Sequence, residues 1–359
     1  MPLAPAETSM WEKPTPRIPT KASDAEINAR YETKERKIIV ESNREKLPNF
    51  VEALKRPNYM NVRPFYQRRL RWDQVRRSRF IESFIINIPV PPLFLYETNY
   101  NTYEVIDGQQ RITAVRAFYE NDLVLKGLEH WPELNGRKYS TLPSNIRAGI
   151  DRRSISYVVV LTESAQTTEE ALLLKQIVFE RLNTGGVRLS NQEIRNSLYH
   201  GEFNKMLFQL AANPIFRKAW GLPLPTHDEE DHPSSELLKC RTYRNMDDVE
   251  VVLRFFALRH HHRYQHGMQG FLDLYMIRSR DFDEQSRAVL RDLFQSTIKL
   301  ADDIYGEKLF RPYLLKNDKW SKHPRKAFAD AVLVGTSEHL QHSKKLVSRR
   351  EKIIEATRI

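Results

Sequence analysis

The run Val105-Ile106-Asp107-Gly108-Gln109-Gln110-Arg111 joins an apolar, β-branched strand end to a polar helix start, with a glycine turning the chain between them. The first turn of a helix leaves its N–H groups unpaired and carries a partial positive charge. Fed by a glycine turn, such a start can cradle a phosphate. Arg111 falls in that turn, where a guanidinium can fork two bonds to an anion. Gln109 and Gln110 can donate further bonds whatever the ligand's charge. Asp107, at the strand end, could hold Mg2+ or orient a water. The same residues also suit an ordinary capped helix, with Asp107 bonding backbone N–H groups.

Two other stretches carry chemistry. Arginines are dense between residues 63 and 79 and alternate with Phe65, Tyr66 and Trp72. That mixture suits phosphate and base contacts. Arg76, Arg77 and Arg79 are candidate nucleic-acid contacts, or else a solvated face. In Asn183-Thr184-Gly185-Gly186 paired glycines allow close approach to a ligand, and Asn183 can donate and accept; the same residues can also end a helix. His260, His261, His262 and His266 lack an HExxH frame and close a helix, where histidines suit the dipole. No metal site is assigned.

The elements that must position these residues follow from periodicity. The pattern predicts a short helix over 43–56 capped by Asn43, and a short strand over 59–62. It predicts an amphipathic helix over 73–88 capped by Asp73, with Phe80, Ile81, Phe84, Ile85 and Ile88 on its buried face. Residues 93–97 and 102–106 read as a hairpin, and the Asp107 turn leads into a helix. Leu123–Leu125 reads as a strand. Residues 154–161 read as a strand buried on both faces. A helix follows over 167–182, then another capped by Ser190 with Glu193 three residues on. Helical patterns dominate later, at 203–219, 236–262, 268–279, 284–304 and 324–356. The expected class is α+β: a small mixed sheet with helices, followed by an all-helical C-terminal region. The expected divisions are a flexible tail over 1–34, a nucleotide-binding domain over 35–200, and helices over 201–359.

Composition narrows the function. The 359 residues carry 57 Lys and Arg against 46 Asp and Glu, a net charge of +11, which suits polyanionic partners. A single cysteine, Cys240, excludes an intrachain disulfide framework. No apolar run approaches the ~20 residues of a membrane helix, and no secretory h-region follows the start, so the expected location is cytoplasmic. There is no Walker A motif and no GxSxG.

Asp107-Gly108-Gln109-Gln110-Arg111 at a strand–helix junction resembles the signature of the ParB/sulfiredoxin-like superfamily, in the branch of the N-terminal domain of GmrSD-type modification-dependent restriction systems. Tyr66-Gln67-Arg68 followed by Trp72 is similar to that branch's "YQR…W" element. Phe179 to Gly186, with Leu189-Ser190 and Glu193, resembles its "F…N-x-G-G…LS…E" segment. The likeness runs from about 40 to 345. It implies a nucleotide pocket lined on its phosphate side by Asp107, Gly108, Gln109, Gln110 and Arg111, with Gln67, Arg68, Asn183, Gly185 and Gly186 closing around the ligand. Gln109 and Gln110 stand where ParB proteins carry the first charges of a GERR-type motif, so this cradle is less cationic.

The resemblance implies a nucleotide-binding regulatory or sensor protein acting with DNA in a restriction-like defence system. Its cofactor would be an NTP with Mg2+, and hydrolysis is compatible with the site without being required by it. Asp107 and Arg111 would then be the catalytic pair. No HNH-type nuclease module is recognisable after residue 200, so a separately encoded nuclease subunit is the expected partner. Two alternatives stay open: a metal-dependent DNA nuclease using the same pocket, and a non-catalytic DNA- or protein-binding module.

Overall fold

The computed structural model describes residues 3–12, 23–32, 39–62, 72–161, 177–178, 181, 190–199, 201–227, 229, 233–265 and 267–358. Two compact units emerge. One is built from residues 18–65 and 70–188; the other combines residues 1–17 and 66–69 with 189–359.

In the first unit, after helices α1 (Pro5–Ser9, part of the other unit) and α2 (Asp24–Glu32), the chain enters strand β1 (Val40–Lys46). Here the expectation of a helix from Asn43 is corrected. Asn43 lies in β1, opposite Tyr157, and the helix α3 begins later, at Leu47–Leu54. VESNREK has no apolar alternation because β1 is an exposed edge, and its charges discourage pairing with other chains. Pro48 suits the first turn of α3, where its missing N–H is no loss.

Strand β2 (Met60–Asn61) and helix α4 (Gln74–Ile85) follow. Asp73 caps α4 by accepting from the Arg76 N–H at 2.7 Å. The helix stops at Ile85, so Ile88 is 54% exposed and not on its buried face. Strands β3 (Leu93–Asn99) and β4 (Thr102–Asp107) form the predicted hairpin. Helix α5 (Gln109–Tyr119), helix α6 (Ser144–Asp151) and strand β5 (Ser154–Val160) complete the unit. Leu123–Leu125 is not a strand. Leu123 and Leu125 are buried, but Leu123 bonds back to Ala117 of α5 and Leu125 to Arg137 and Gly136, so no strand ladder forms.

The mixed sheet runs β1-β5-β3-β4-β2. β5 is antiparallel to β1 and parallel to β3; Ile155, Val159 and Val160 are buried, but Ser156, Tyr157 and Val158 are half-buried, so the expected burial on both faces is only partial. Leu95, Val105 and Val159 from the sheet meet Ile81 and Phe84 of α4 and Ile112, Val115 and Phe118 of α5 in one core. A fully buried Phe118 alone contributes roughly 2–3 kcal/mol. The core therefore fixes the β4–α5 junction from both sides.

The second unit is helical: α7 (Asn191–Leu198), α8 (Glu202–Ala211), α9 (Pro214–Trp220), α10 (Ser235–Lys239), α11 (Arg241–Arg244), α12 (Asp247–Leu258), α13 (Gly267–Ser279), α14 (Glu284–Tyr305), a hairpin of β6 (Tyr313–Leu314) and β7 (Lys319–Trp320), α15 (Lys326–Glu338), α16 (Ser343–Ser348) and α17 (Arg350–Ala356). The predicted runs 203–219, 236–262 and 324–356 are thus each broken into shorter helices, and the β6–β7 hairpin interrupts the region expected to be all helix. Helix α12 is buried nearly all round, and its Phe255 ring lies 5.5 Å from that of Phe294 on α14.

The expectation of a flexible tail fails for residues 3–12, which dock on this unit. Glu7 is 1% exposed and takes the Arg259 guanidinium at 2.6 Å. The Trp11 indole N–H donates to His260 Nδ1 at 2.9 Å. That leaves the proton of the neutral ring on Nε2, 3.2 Å from the Glu7 carboxylate. Burial opposes the charge of Glu7, but the His260 bond, the Arg259 charge and the Ala4 N–H together hold its carboxyl below the usual range.

Candidate functional site: the β4–α5 turn

Gly108 caps α5 with φ +107°, a left-handed conformation that side chains rarely adopt. Space is as restrictive as angle. A Cβ on Gly108 would lie 2.3 Å from Leu93 Cδ2 and 3.3 Å from Arg111 Nη2. Glycine thus lets the chain turn while Leu93 stays in the core. Because Gly108 has no side chain, nothing on the cap itself accepts from the N–H groups of the first turn.

Arg111 folds back beneath the turn and is 8% exposed. Its Nη2 donates to Asp107 Oδ2 at 2.6 Å and its Nη1 to the Pro91 carbonyl at 2.7 Å. It braces the turn from inside, tying the strand end to the entry of β3. Asp107 remains 48% exposed at its side chain, and its Oδ1 has no partner among the described residues. Charge at the turn is therefore balanced between the two side chains. What is left at the turn is a helix start with no side-chain cap among the described residues, the half-buried Gln109 and one carboxylate oxygen.

Gln110 accepts from the Trp72 backbone N–H at 2.9 Å through its Oε1. This links the tryptophan of the "YQR…W" element directly to the DGQQR turn, a contact that sequence separation hides. The Trp72 ring packs edge-on against Phe80 at 5.5 Å, and the Arg76 guanidinium lies 5.1 Å over it. The carbonyl of Pro91 is the other residue that sequence reasoning missed, since prolines there signal only a helix end.

The predicted nucleic-acid arginines divide. Arg76 is exposed over Trp72. Arg79 is tied to the loop after α5, through Gly127 O at 3.0 Å and Glu129 at 2.8 Å. Arg77 is half-buried, with its Nε unpartnered. Gln67, Arg68, Asn183, Gly185 and Gly186 lie outside the described residues, as does the helix predicted over 167–182 but for Ile177, Val178 and Arg181. The expected capping box is present beyond them: Ser190 Oγ accepts from the Glu193 N–H at 3.2 Å, and Glu193 Oε2 from the Ser190 N–H at 2.7 Å.

Glu82 makes a second device. Its carboxylate accepts from the backbone N–H groups of Glu129, His130 and Trp131 at 3.2, 2.8 and 2.8 Å. Burial works against its charge, but the three amides outweigh it and hold the carboxyl below its usual range. Among the described residues, no group of three His, Cys, Asp or Glu could hold a metal, and no helix is long and apolar enough to cross a membrane.

The molecule is thus an α+β protein with a glycine-gated strand–helix turn on a small mixed sheet, together with a helical unit. Residues 50–200 match the family described as GmrSD restriction endonuclease, N-terminal domain. The likeness to the GmrSD N-terminal domain read from the motifs holds over that span, which relates this part of the chain to restriction endonucleases. No curated protein and no solved structure matches the chain. The matched segment includes α7, whose Arg195 is 2% exposed and pairs with Asp273 at 2.7 Å and Glu250 at 3.3 Å in the helical unit.

Proposed function

We propose that the β4–α5 turn binds the phosphates of a nucleoside triphosphate, and that the chain is the sensing part of a restriction-like defence system acting on DNA with a separately encoded nuclease. The observation that carries this reading is the first turn of α5 behind a left-handed Gly108, which has no side-chain cap among the described residues. Unpaired amides with a helix dipole behind them favour an anion. The Gln109 amide supplies a neutral donor at the rim. The family resemblance, not the described geometry, adds Asn183, Gly185 and Gly186 as candidate ligand contacts.

Arg111 acts in this reading as a positioning residue, since it is spent on Asp107 and Pro91. Asp107 Oδ1 would be the one protein ligand of a nucleotide-borne Mg2+ among the described residues. That fits the habit of Mg2+, which keeps waters and substrate phosphates and takes one or two carboxylates. The bound ion would supply charge neutralisation on the phosphates. If turnover occurs, the turn's amides hold the phosphate oxygens while charge develops. A metal-dependent nuclease has no cluster of ligands to rest on among the described residues.

The test is nucleotide binding and turnover with each of the four NTPs, with and without Mg2+ and DNA. Saturable binding that weakens in Gln109→Glu supports the reading. No binding at about 1 mM nucleotide, a level near the weak end of specific affinities, ends it.

A further inference from the structure

The chain's positive charge is not spread evenly. Residues 306–358 hold thirteen Lys and Arg against six Asp and Glu, +7 of the net +11. Within them the β6–β7 hairpin stands out. Tyr313 pairs with Trp320 and Leu314 with Lys319. The two rings meet edge-on at 5.4 Å, and cations lie over both, Arg358 over Tyr313 at 5.3 Å and Lys308 over Trp320 at 5.2 Å. The hairpin is therefore stiffened at its base and joined to the end of α17. At its tip, Leu315 is 69% exposed, flanked by exposed Lys316 and Lys319, and exposed Lys322 follows β7 at the base of the hairpin. Asp318, the one acid in the hairpin, is engaged by the Tyr313 hydroxyl.

None of Lys316, Lys319 and Lys322 forms an ion pair among the described residues. Clustered like charges without counter-charge oppose folding, and an exposed leucine at a hairpin tip contributes nothing to the core. Both features become favourable against a duplex. Phosphates supply the missing counter-charge, and an apolar tip flanked by cations can enter the minor groove as a wedge. We propose that the β6–β7 hairpin is a duplex-DNA binding element, with Lys316, Lys319 and Lys322 on the phosphates and Leu315 at the base steps. It belongs to the helical unit, far along the chain from the arginines that the sequence singled out, and it needs no nucleotide pocket.

The test uses the full chain and a fluorescent duplex of about 20 base pairs, followed by anisotropy from about 50 to 200 mM salt, where phosphate contacts dominate. The triple variant Lys316→Glu/Lys319→Glu/Lys322→Glu should weaken binding at least about tenfold and make the salt slope shallower by roughly 2–3, near one for each phosphate no longer neutralised. Leu315→Ala should weaken binding without changing the slope. All four positions are exposed, so circular dichroism should show folding unchanged. The proposal is overturned if the triple variant binds duplex with wild-type affinity and slope. It is equally overturned if wild type prefers an RNA duplex or anionic vesicles to DNA. Nucleotide binding measured on the same variants separates the two proposals: it should not move, and a chain that binds DNA but no nucleotide refutes only the reading of the β4–α5 turn.

Discussion

Gln109→Glu separates an anion site from an ordinary helix start, because the two make opposite demands on the same position. Gln109 is the first residue of α5, half-buried, with no side-chain cap beside it. If α5 merely begins here, a glutamate is welcome, since an acid in the first turn complements the dipole by about 0.3–1 kcal/mol. If phosphates dock here, the new charge repels them. At a separation of about 5 Å, one pair of like charges costs about 0.8 kcal/mol at water's dielectric and about 3 kcal/mol at an effective value near 20. A half-buried rim lies between, so each facing phosphate charge weakens binding by roughly 4- to 150-fold. Calorimetric titration of a triphosphate nucleotide with Mg2+ measures this, and urea unfolding of the ligand-free chain supplies the control. The expected pair of results is unchanged or higher stability with at least about tenfold weaker nucleotide binding. Gln109→Met, which keeps volume and removes the amide, should lose only about 1 kcal/mol of hydrogen bonding. Equal affinity in wild type and Gln109→Glu would refute the anion site.

Gly108→Ala should destabilise by about 2–4 kcal/mol, from a left-handed backbone and the collision with Leu93 Cδ2; pairing it with Leu93→Ala should cost less than the sum of the two changes, measured by urea midpoints. Glu82→Ala strands three loop amides and should cost roughly 2–4 kcal/mol, visible in the melting temperature. Glu7→Ala leaves the Arg259 guanidinium buried without its carboxylate, an expected loss of about 3–5 kcal/mol by urea unfolding. Glu7 and Glu82 both sit below the usual carboxyl range when folded. Their stabilisation is therefore complete above the unfolded value of about 4.3 and is lost as pH falls through the folded values. Urea midpoints from neutral pH down to about 3 should fall less steeply in Glu82→Ala than in wild type; equal slopes would sink the linkage.

The sequence was readable where one local rule acts. Asp73 caps α4, the 93–106 hairpin forms, and Ser190 with Glu193 closes a capping box, each through bonds spanning a few residues. It misled where position in the sheet or a distant partner decides. β1 is polar because it is an edge, so VESNREK carries no strand alternation. Residues 3–12 are aperiodic, yet Glu7, Met10 and Trp11 find Arg259, Arg278 and His260 some 250 residues on. Leu123 and Leu125 are apolar because they pack into the core, not because they pair in a sheet.

At the β4–α5 turn the two levels meet. The types of Asp107 and Arg111 suggest a cation reaching for phosphate. Their four-residue spacing across a glycine that places no Cβ between them instead brings the two charges together at 2.6 Å. A carboxylate so placed cancels most of the guanidinium's field beyond the pair. Any anion affinity at this turn, as proposed, must then come from backbone amides held in register by Leu93, Pro91 and Arg111. On that logic Arg111→Lys, which cannot bridge Asp107 and Pro91 in the same fork, should loosen the turn and lower nucleotide affinity together with stability. Gln109→Glu should lower affinity alone, and the contrast between the two variants distinguishes a charge that binds from a charge that holds the binder in shape.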